Sequence, residues 1–301
     1  MSLAILCSGQ GGQHPGMVNI LAQSARAVEA FDQAALVCGM DFRTLVGIDL
    51  FANCIAQPLV CAFELAVWAG LRDSLPAPLI FAGYSVGELA AYGCAGALSL
   101  SETLELAQCR ADLMDAASPG DCALLAVQGL RRSAVQALCE RHKLEIAIVN
   151  GADHFVIGGR SADLKLAAEA AIATGARAVP LKVAVPAHTS MLDKAVPEFE
   201  SALHASELRS LEIPVLAGIN ATPIRDRAAA IETLSQQVAR PIEWAKCVET
   251  AVEMGARVLL ELGPGNALSR MVRDAYPDLA SRSVAEFRSL DGAIIWVRAN
   301  F

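Results

Sequence analysis

The sequence is poor in charge, in aromatic side chains and in histidine. Of its 301 residues, 19% are charged, 5% are aromatic and only five are histidine. Lys and Arg number 24 against 32 Asp and Glu, a net charge of −8. The chain therefore lacks the excess of cations with which proteins displace counterions from nucleic acid. A disordered chain is excluded as well, because 54% hydrophobic residues supply enough apolar surface to offset chain entropy.

Signals for secretion, membrane insertion and metal binding are also missing. The first 25 residues have no basic start and no run of about 20 consecutive apolar residues. Nine cysteines are scattered along the chain without a C-x-x-C pair, which favours reduced thiols over disulfides or zinc ligands. We therefore expect a cytoplasmic protein that binds no metal, no membrane and no nucleic acid.

Short apolar runs alternate with segments of helical period along the whole chain, the pattern of a mixed α/β fold with a parallel sheet. Strands are predicted at Leu3 to Cys7, Pro78 to Ala82, Ala123 to Val127, Glu145 to Val149, Phe155 to Ile157, Ala178 to Val183, Pro214 to Ala217 and Val258 to Glu261. Helices are predicted at about 18–37, 57–72, 86–95, 101–116, 132–142, 161–174, 190–206, 226–239, 243–254 and 266–275.

The middle of the chain has a different order of elements. Between about Asp121 and Pro186 the predicted order is strand, helix, strand, strand, helix, strand. This is the order of a ferredoxin-like split βαβ unit. We expect a ferredoxin-like subdomain at 121–186, inserted into an α/β body made of 1–120 and 187–301.

The segment from Gly83 to Gly87 fits G-x-S-x-G, in which a serine sits on a sharp turn between a strand and a helix. The bare pattern is weak evidence, since a chain of this length matches it by chance roughly one time in ten. Its context adds support, because a predicted strand precedes it and a predicted helix follows at once. Ser85 is therefore a candidate nucleophile, with the amide of Val86 placed to face a developing oxyanion. The alternative is an ordinary turn in which Ser85 is the helix N-cap.

The small number of histidines limits the choice of a base. An α/β-hydrolase has its histidine after the acid, usually close to the C-terminus, and no histidine follows His204. His142 and His204 lie in polar segments typical of the surface, and His154 lies beside a turn. His188 follows the last predicted strand of the insertion, where the chain re-enters the body. We predict that His188 meets Ser85; the alternative is a turn histidine without a catalytic role.

Arg110 falls within the apolar stripe of the helix predicted at 101–116. A guanidinium on a buried face is costly unless an anion pairs with it. That anion is either a carboxylate of the protein or a carboxylate of the substrate, held by the paired N–H donors of the arginine.

A glycine-rich segment, Gly9 to Gln13, follows the first predicted strand. It is neither a dinucleotide fingerprint nor a Walker loop, because His14 and Met17 stand where the third glycine and the lysine would be. It is either a turn whose amides and Gln side chains line a site at the carboxyl edge of the sheet, or a turn without such a role.

Two further features have a plain structural interpretation. The segment from Glu261 to Asn266 is typical of a strand, a turn and a helix N-cap. Basic residues cluster in the predicted insertion, where they either solvate a surface or dock an acidic partner or CoA phosphates. The cluster consists of Arg131, Arg132, Arg141, Lys143, Arg160 and Lys165.

Together, these motifs resemble the malonyl-CoA:acyl carrier protein transacylase family. The matching segments span about residues 4–270 in the family's order: the Gly9 to Gln13 loop, the Gly83 to Glu88 elbow, Cys109-Arg110, Val185 to Thr189, Gln237 to Pro241 and Glu261 to Gly265. The resemblance implies an α/β-hydrolase-like body with a ferredoxin-like insertion, in agreement with the predicted order of elements. It also implies a Ser–His dyad in place of a triad.

The resemblance further implies substrates and residue roles. Malonyl-CoA would donate the acyl group, an acyl carrier protein would accept it, and the chain itself would bind no cofactor. The implied roles are a nucleophile, Ser85; a base, His188; a backbone carbonyl that orients the imidazole, at Gln237; two oxyanion-hole amides, of Gln10 and Val86; and a cation for the malonyl carboxylate, Arg110.

Two residues depart from the enzymes of fatty-acid synthesis: Tyr84 stands where they carry histidine, and Ser8 where they carry proline. The elbow and the residues after it look most like the transacylase subunit of malonate decarboxylase, in which malonyl passes to the CoA-type thiol of a dedicated carrier. We therefore expect that role, with other decarboxylase subunits as partners. The alternatives are a housekeeping malonyltransferase of fatty-acid or polyketide synthesis, a G-x-S-x-G thioesterase or esterase, and a non-catalytic assembly subunit.

Overall fold

The structure, a computed structural model, describes residues 2–42 and 48–301. In chain order its strands are β1 (Ser2–Cys7), β2 (Ile80–Gly83), β3 (Cys122–Gln128), β4 (Glu145–Val149), β5 (His154–Arg160), β6 (Arg177–Pro180), β7 (Val215–Leu216), β8 (Pro223–Ile224), β9 (Ala256–Glu261) and β10 (Ala280–Ser283). Its α-helices are α1 (Ala25–Cys38), α2 (Asn53–Leu71), α3 (Val86–Cys94), α4 (Leu100–Ala117), α5 (Arg132–His142), α6 (Ser161–Ala173), α7 (Val196–Ala205), α8 (Arg227–Gln237), α9 (Trp244–Glu253), α10 (Ala267–Ala275) and α11 (Leu290–Asn300).

The larger sheet has the strand order β10-β9-β1-β2-β7-β8 and is parallel except for the last pair. Its central strand β1 is buried from its second residue onward, as expected for a parallel strand covered on both faces. Cys7 of β1 pairs with Gly83 of β2, and Leu6 pairs with Glu261 of β9. The three strands therefore end at one edge, where the glycine-rich loop, the elbow and the Glu261 turn meet.

The smaller sheet is antiparallel, with the order β4-β5-β3-β6. Helices α5 and α6 pack on it and share a separate cluster of buried apolar side chains. The order of elements is the predicted ferredoxin-like one, so the predicted fold class is confirmed; the predicted strand at Ala178 to Val183 is shorter and ends at Pro180. The domain boundaries at 121 and 186 stay a prediction.

The two sheets are joined close to the segment that carries Gln237. The amide of Val149 at the end of β4 donates to the carbonyl of Ile242 at 2.8 Å, and the amide of Ile242 donates to Ala147 at 2.9 Å. This pairing ties the edge of the smaller sheet to the chain between α8 and α9. The smaller sheet therefore stands beside the carboxyl edge of the larger one.

Helix α2 begins at Asn53, four residues before the predicted start, and Pro58 lies inside it. By composition it could span a membrane, but 78% of its most apolar window is buried in the fold, where it packs on α1 and α4. The additional turn matters for the site. It places Asn53 one turn before Gln57, whose side-chain amide donates to Asn53 at 2.7 Å.

Two predicted helices are divided in the structure. The predicted helix at 18–37 is a 3-10 helix (Pro15–Gln23) followed by α1, because Ser24 accepts a hydrogen bond from the amide of Ala27 and so begins a new helix.

The predicted helix at 190–206 is likewise a 3-10 turn followed by α7, with Pro197 in the first turn of α7. Strands β8 and β10 and helix α11 were not predicted. β10 is a four-residue strand at the sheet edge, and its polar residues show no apolar alternation.

Candidate active site

Ser85 lies on the sharp turn between β2 and α3, with φ 57° and ψ −120°. A positive φ is uncommon for a residue with a side chain and is typical of strained functional turns. The turn packs closely on the end of β1: a Cβ at Gly87 would lie 2.4 Å from the carbonyl oxygens of Cys7 and Ser8. Ser85 occupies the N-cap position of α3, but its side chain makes no capping hydrogen bond. Its hydroxyl is directed to a histidine instead.

That histidine is His188. The Oγ of Ser85 lies 2.7 Å from Nε2 of His188, and Nδ1 of the ring lies 2.6 Å from the backbone carbonyl oxygen of Gln237. A carbonyl oxygen only accepts, so Nδ1 carries the proton and Nε2 accepts from the serine hydroxyl. The backbone of His188 is held too, because its amide donates to Val238 at 2.9 Å. The structure therefore brings the predicted serine and histidine together.

Burial decides the charge of His188, which is only 1% exposed. Desolvation, followed by the positive charge of Arg110, lowers the pKa of His188 to about 3, although the hydrogen bond to Gln237 opposes this shift. The imidazole is therefore neutral near pH 7, which is the form that can accept a proton from a serine hydroxyl.

Arg110 projects from α4 into the same site and is 3% exposed. Its guanidinium donates to the side-chain oxygens of Gln57 at 2.7 Å and Gln237 at 2.8 Å, and it lies 3.4 Å from Oγ of Ser85. In the part of the chain that the structure describes, no carboxylate forms an ion pair with it. Burial lowers the pKa of Arg110 to about 10, so the group stays cationic near neutral pH. Of the two predicted partners, the substrate carboxylate is the one that this geometry favours.

The two amides predicted for an oxyanion hole belong to the residue after Ser85 and to the glycine-rich loop that packs on the elbow. Val86 is the first residue of α3, so its amide has no partner within the helix and lies at the positive end of the helix dipole. The glycine-rich loop lies against the elbow, because a Cβ at Gly9 would be 2.8 Å from the carbonyl oxygen of Tyr84 and 3.6 Å from Cβ of Ser85. Gln10 is the next residue of that loop. The oxyanion-hole role of both amides stays a prediction.

A cavity of about 370 Å³ lies between the glycine-rich loop and the smaller sheet. Its wall includes Tyr84, whose ring packs edge-on against Trp244 with ring centroids 5.4 Å apart. Asn150 and His154 also line the cavity. His154 therefore belongs to the cavity wall, and burial lowers its pKa. The cavity reaches the elbow at Tyr84, the residue before Ser85.

Three side chains that sequence analysis missed complete the site: Gln57, Glu88 and the side chain of Gln237. Glu88 is fully buried and accepts hydrogen bonds from Nε2 of Gln237 at 2.6 Å and from the amide of Gly218 at 2.9 Å. Burial raises the pKa of Glu88 to about 7, against the lowering effect of those hydrogen bonds and of Arg110. In the sequence, the signal for Glu88 is an acidic residue in the otherwise apolar first turns of the helix predicted at 86–95.

The segment that begins at Glu261 forms the predicted strand end, turn and helix start, but a different residue caps the helix. The carboxylate of Glu261 accepts from the hydroxyl of Ser8 at 2.9 Å and from the amides of Leu268 and Ser269 at 3.2 and 2.8 Å. Glu261 therefore caps α10. Asn266, the predicted cap, makes no capping hydrogen bond.

The predicted basic cluster divides in the structure. One depression on the surface beside the smaller sheet is lined by Arg141, Lys143 and Arg160. Arg132 instead forms an ion pair with Glu243 at 3.1 Å. A docking role for the exposed group stays a prediction.

Comparison with known sequences agrees with this geometry. The acyl transferase domain family matches residues 5–289. The malonyl CoA-acyl carrier protein transacylase of Bacillus subtilis (strain 168) is 27% identical over 304 residues, covering 97% of this chain and 96% of its own. Its counterpart in Haemophilus influenzae is 29% identical over 301 residues, covering 96% of each chain.

Solved structures are similar over nearly the whole chain. An acyl-carrier-protein S-malonyltransferase from Burkholderia pseudomallei 1710b has a TM-score of 0.92 and 31% identity, covering 98% of this chain and 100% of its own. A malonyl-transacylase in complex with its type II polyketide acyl carrier protein also has a TM-score of 0.92, at 28% identity, covering 98% and 99% of the two chains.

Proposed function

This chain belongs to the acyl transferase domain family, among the malonyl-CoA:acyl carrier protein transacylases, and we propose that it transfers malonyl from malonyl-CoA to the phosphopantetheine thiol of an acyl carrier protein. The observation that carries this proposal is the surroundings of the Ser85 hydroxyl. It lies 2.7 Å from a neutral His188 and 3.4 Å from the cationic Arg110. A nucleophile, its base and a binding group for a carboxylate therefore meet at one point.

In the first half-reaction, Nε2 of His188 takes the proton of Ser85 as Oγ attacks the thioester carbonyl. The carbonyl of Gln237 stabilises the imidazolium that forms, since it accepts the hydrogen bond from Nδ1. The amides of Gln10 and Val86 donate to the oxyanion. The C–S bond then breaks, and the CoA thiol leaves with the proton returned by His188.

In the second half-reaction, the carrier thiol attacks the malonyl ester of Ser85. His188 accepts the thiol proton and returns it to Oγ as the ester bond breaks. CoA and carrier use the same nucleophile in turn, so we expect ping-pong kinetics. The similarity to a malonyl-transacylase solved with its acyl carrier protein supports a carrier as the second substrate.

Arg110 supplies selectivity for the acyl group. Gln57 and Gln237 bind two of its nitrogens, and the side of the guanidinium close to Ser85 is where a malonyl carboxylate would bind. Acetyl-CoA has no such carboxylate and would leave the buried cation without an anion, a loss of a few kcal/mol, roughly.

A second acceptor is favoured by one feature of the elbow. Tyr84 stands where the fatty-acid enzymes carry histidine, and it lines the cavity beside Ser85. As the alternative function, the chain transfers malonyl to the CoA-type thiol of the malonate decarboxylase carrier, with subunits of that complex as partners. A cytoplasmic location is part of both proposals, because nine free cysteines suit a reducing compartment.

The test supplies the protein with malonyl-CoA and, in parallel, a phosphopantetheine carrier or a malonate decarboxylase carrier. Intact mass spectrometry of each carrier measures malonyl transfer. We expect rapid transfer to the phosphopantetheine carrier, none with Ser85→Ala and normal transfer with the exposed-serine control Ser201→Ala. Preference for the other carrier would establish the alternative function. Release of free malonate without a carrier would indicate a thioesterase, and absence of any acyl-enzyme would indicate an assembly subunit.

A further inference from the structure

Glu88 is a fully buried carboxylate that performs no step of the proposed reaction. One of its oxygens, Oε2, accepts from Nε2 of Gln237 at 2.6 Å and from the amide of Gly218 at 2.9 Å. Within the described residues, the other oxygen has no hydrogen-bond partner. The protein therefore keeps a costly buried acid whose one side-chain hydrogen bond among the described residues is with the glutamine of the active site.

The side chain of Gln237 connects Glu88 to the cation of the site. Its Nε2 donates to Glu88 and, at 3.0 Å, to the backbone carbonyl of Ser85, whereas its Oε1 accepts from Arg110 at 2.8 Å. The two ends of an amide are not interchangeable, because one only donates and the other only accepts. A rotated amide would direct N–H groups at the guanidinium and an oxygen at the acid. Glu88, with the carbonyl of Ser85, therefore holds the donating end of Gln237 away from Arg110 and supplies the shorter of the two hydrogen bonds that do so.

The orientation of Gln237 matters because it holds one of the two nitrogens by which Arg110 is fixed. The other is held by Gln57 at 2.7 Å. If Gln237 turned away, the guanidinium would lose one of these restraints and its position beside Ser85. The base would be much less affected, because His188 binds the backbone carbonyl of Gln237 and not its side chain.

We propose that Glu88 is a positioning residue that makes the site selective for acyl groups bearing a free carboxylate, by orienting Gln237 and, through it, Arg110. This inference rests on the proposed function, in which Arg110 binds the malonyl carboxylate. The required property of Glu88 is an accepting oxygen at the correct reach. A carboxyl group offers such an oxygen whether or not it is protonated, and so does the amide of glutamine.

Three variants of Glu88 separate the position of its accepting oxygen from the charge of its side chain. Glu88→Gln removes the charge and keeps the accepting oxygen, Glu88→Asp keeps the charge and withdraws the oxygen by one methylene, and Glu88→Leu removes both. The measurement is the second-order rate constant for acylation of Ser85 by malonyl-CoA and by acetyl-CoA, followed by rapid quench and intact mass. For Asp and Leu we expect the malonyl-to-acetyl ratio to fall about tenfold or more, the usual scale for a hydrogen bond that serves a charged group. For Gln we expect a ratio within about threefold of the original.

The controls separate this inference from the proposed function. Arg110→Ala should lower the ratio; if it does not, the proposed carboxylate role of Arg110 is wrong. If Arg110→Ala lowers the ratio but Glu88→Asp leaves it unchanged, only the inference about Glu88 is wrong. A fall in Glu88→Gln as large as in Glu88→Asp would also overturn it, because charge and not reach would then matter. Glu286→Gln, at a carboxylate that binds Arg273 and Ser283, controls for general loss of structure. Should Glu88→Leu fail to fold, the Gln and Asp variants still decide.

Discussion

Two fully buried carboxylates, Glu88 and Glu261, lie at the same edge of the larger sheet but bind different groups. Glu261 accepts from the amides of Leu268 and Ser269 and from the hydroxyl of Ser8, so it joins β9, α10 and the end of β1. Glu88 contacts the side chain of Gln237. Both acids accept from backbone amides, Glu88 from Gly218, but only Glu88 also binds the side chain that contacts Arg110.

The scaffold side of this edge has a further anchor. The amide of Ser8 donates to the buried carboxyl group of Glu64, while its hydroxyl donates to Glu261. Ser8 directly precedes the glycine-rich loop that carries Gln10, so Glu64 and Glu261 hold the start of this loop in place. A proline at position 8 would have no N–H group to donate to Glu64. Serine, which stands where the fatty-acid enzymes carry proline, therefore makes a hydrogen bond that proline could not make. On the elbow side, in contrast, side-chain hydrogen bonds join Ser85 to His188 and to Arg110.

The largest effect is expected from removing the base on the elbow side. His188→Ala should slow acylation of Ser85 by malonyl-CoA by about 10²–10⁴-fold, the usual contribution of a general base. Rapid quench and intact mass of the acyl-enzyme measure the rate. His204→Ala, at an exposed histidine, is the control. A loss below about tenfold for His188→Ala would exclude it as the base.

The next effect concerns the cation. Arg110→Ala should lower acylation by malonyl-CoA about 100-fold or more, the scale for leaving one partner of a buried ion pair alone. Acylation by acetyl-CoA should change much less, because that substrate brings no carboxylate. The same rapid-quench assay with both thioesters measures the ratio, and the exposed Arg209→Ala is the control. An unchanged ratio would rule out carboxylate binding by Arg110.

A substitution on the scaffold side should affect stability and not selectivity. Glu261→Leu leaves the donors of Ser8, Leu268 and Ser269 without their acceptor, so we expect the free energy of unfolding to fall by about 2–4 kcal/mol. Urea unfolding measures this loss. The malonyl-to-acetyl ratio of the folded variant should stay within about threefold of the original. A change in the ratio as large as that expected for Glu88→Asp would remove the distinction between the two acids.

The smallest effect is expected from mild acid. The pKa of His188 is lowered to about 3 by burial and by Arg110, whereas an unfolded histidine titrates near 6.5. The base should therefore stay neutral at pH 5, and acylation by acetyl-CoA should vary less than about threefold between pH 5 and 7. An acid limb with its midpoint near pH 6.5 would contradict this.

The lowered pKa of His188 also makes the free energy of unfolding depend on pH. Between pH 6.5 and 3 the unfolded chain binds a proton at His188 that the folded chain does not. The contribution of the neutral His188 ring to the free energy of unfolding is therefore fully present above pH 6.5 and is lost as the pH falls from 6.5 to 3. Equilibrium unfolding as a function of pH measures this change.

The sequence was sufficient for the parts of the site that lie on local motifs. Ser85 was predicted as the nucleophile from a strand, a sharp turn and a helix in immediate succession, and the scarcity of histidine left His188 as the candidate base. Both lie close together in the structure, 2.7 Å apart. Arg110 was predicted from its place in an apolar stripe, because a charge on a buried face requires a partner.

The remaining residues depend on packing that no local pattern encodes. Gln57 reaches Arg110 because α2 packs on α4. Glu88 meets Gln237 across 149 residues of chain. Which end of the Gln237 amide faces the cation depends on that contact together with the hydrogen bond from Nε2 to the carbonyl of Ser85. The short strand β10 has mostly polar residues, so hydrophobic periodicity could not find it.

The most direct test of the account is the site of acylation. The protein is incubated with labelled malonyl-CoA, quenched in acid, digested and mapped by mass spectrometry, and a second sample receives the carrier before quenching. We expect one malonyl group per chain on the peptide that contains Ser85, removed when the carrier is added. Label on another residue, no label at all, or a Ser85 ester that the carrier cannot discharge would contradict it.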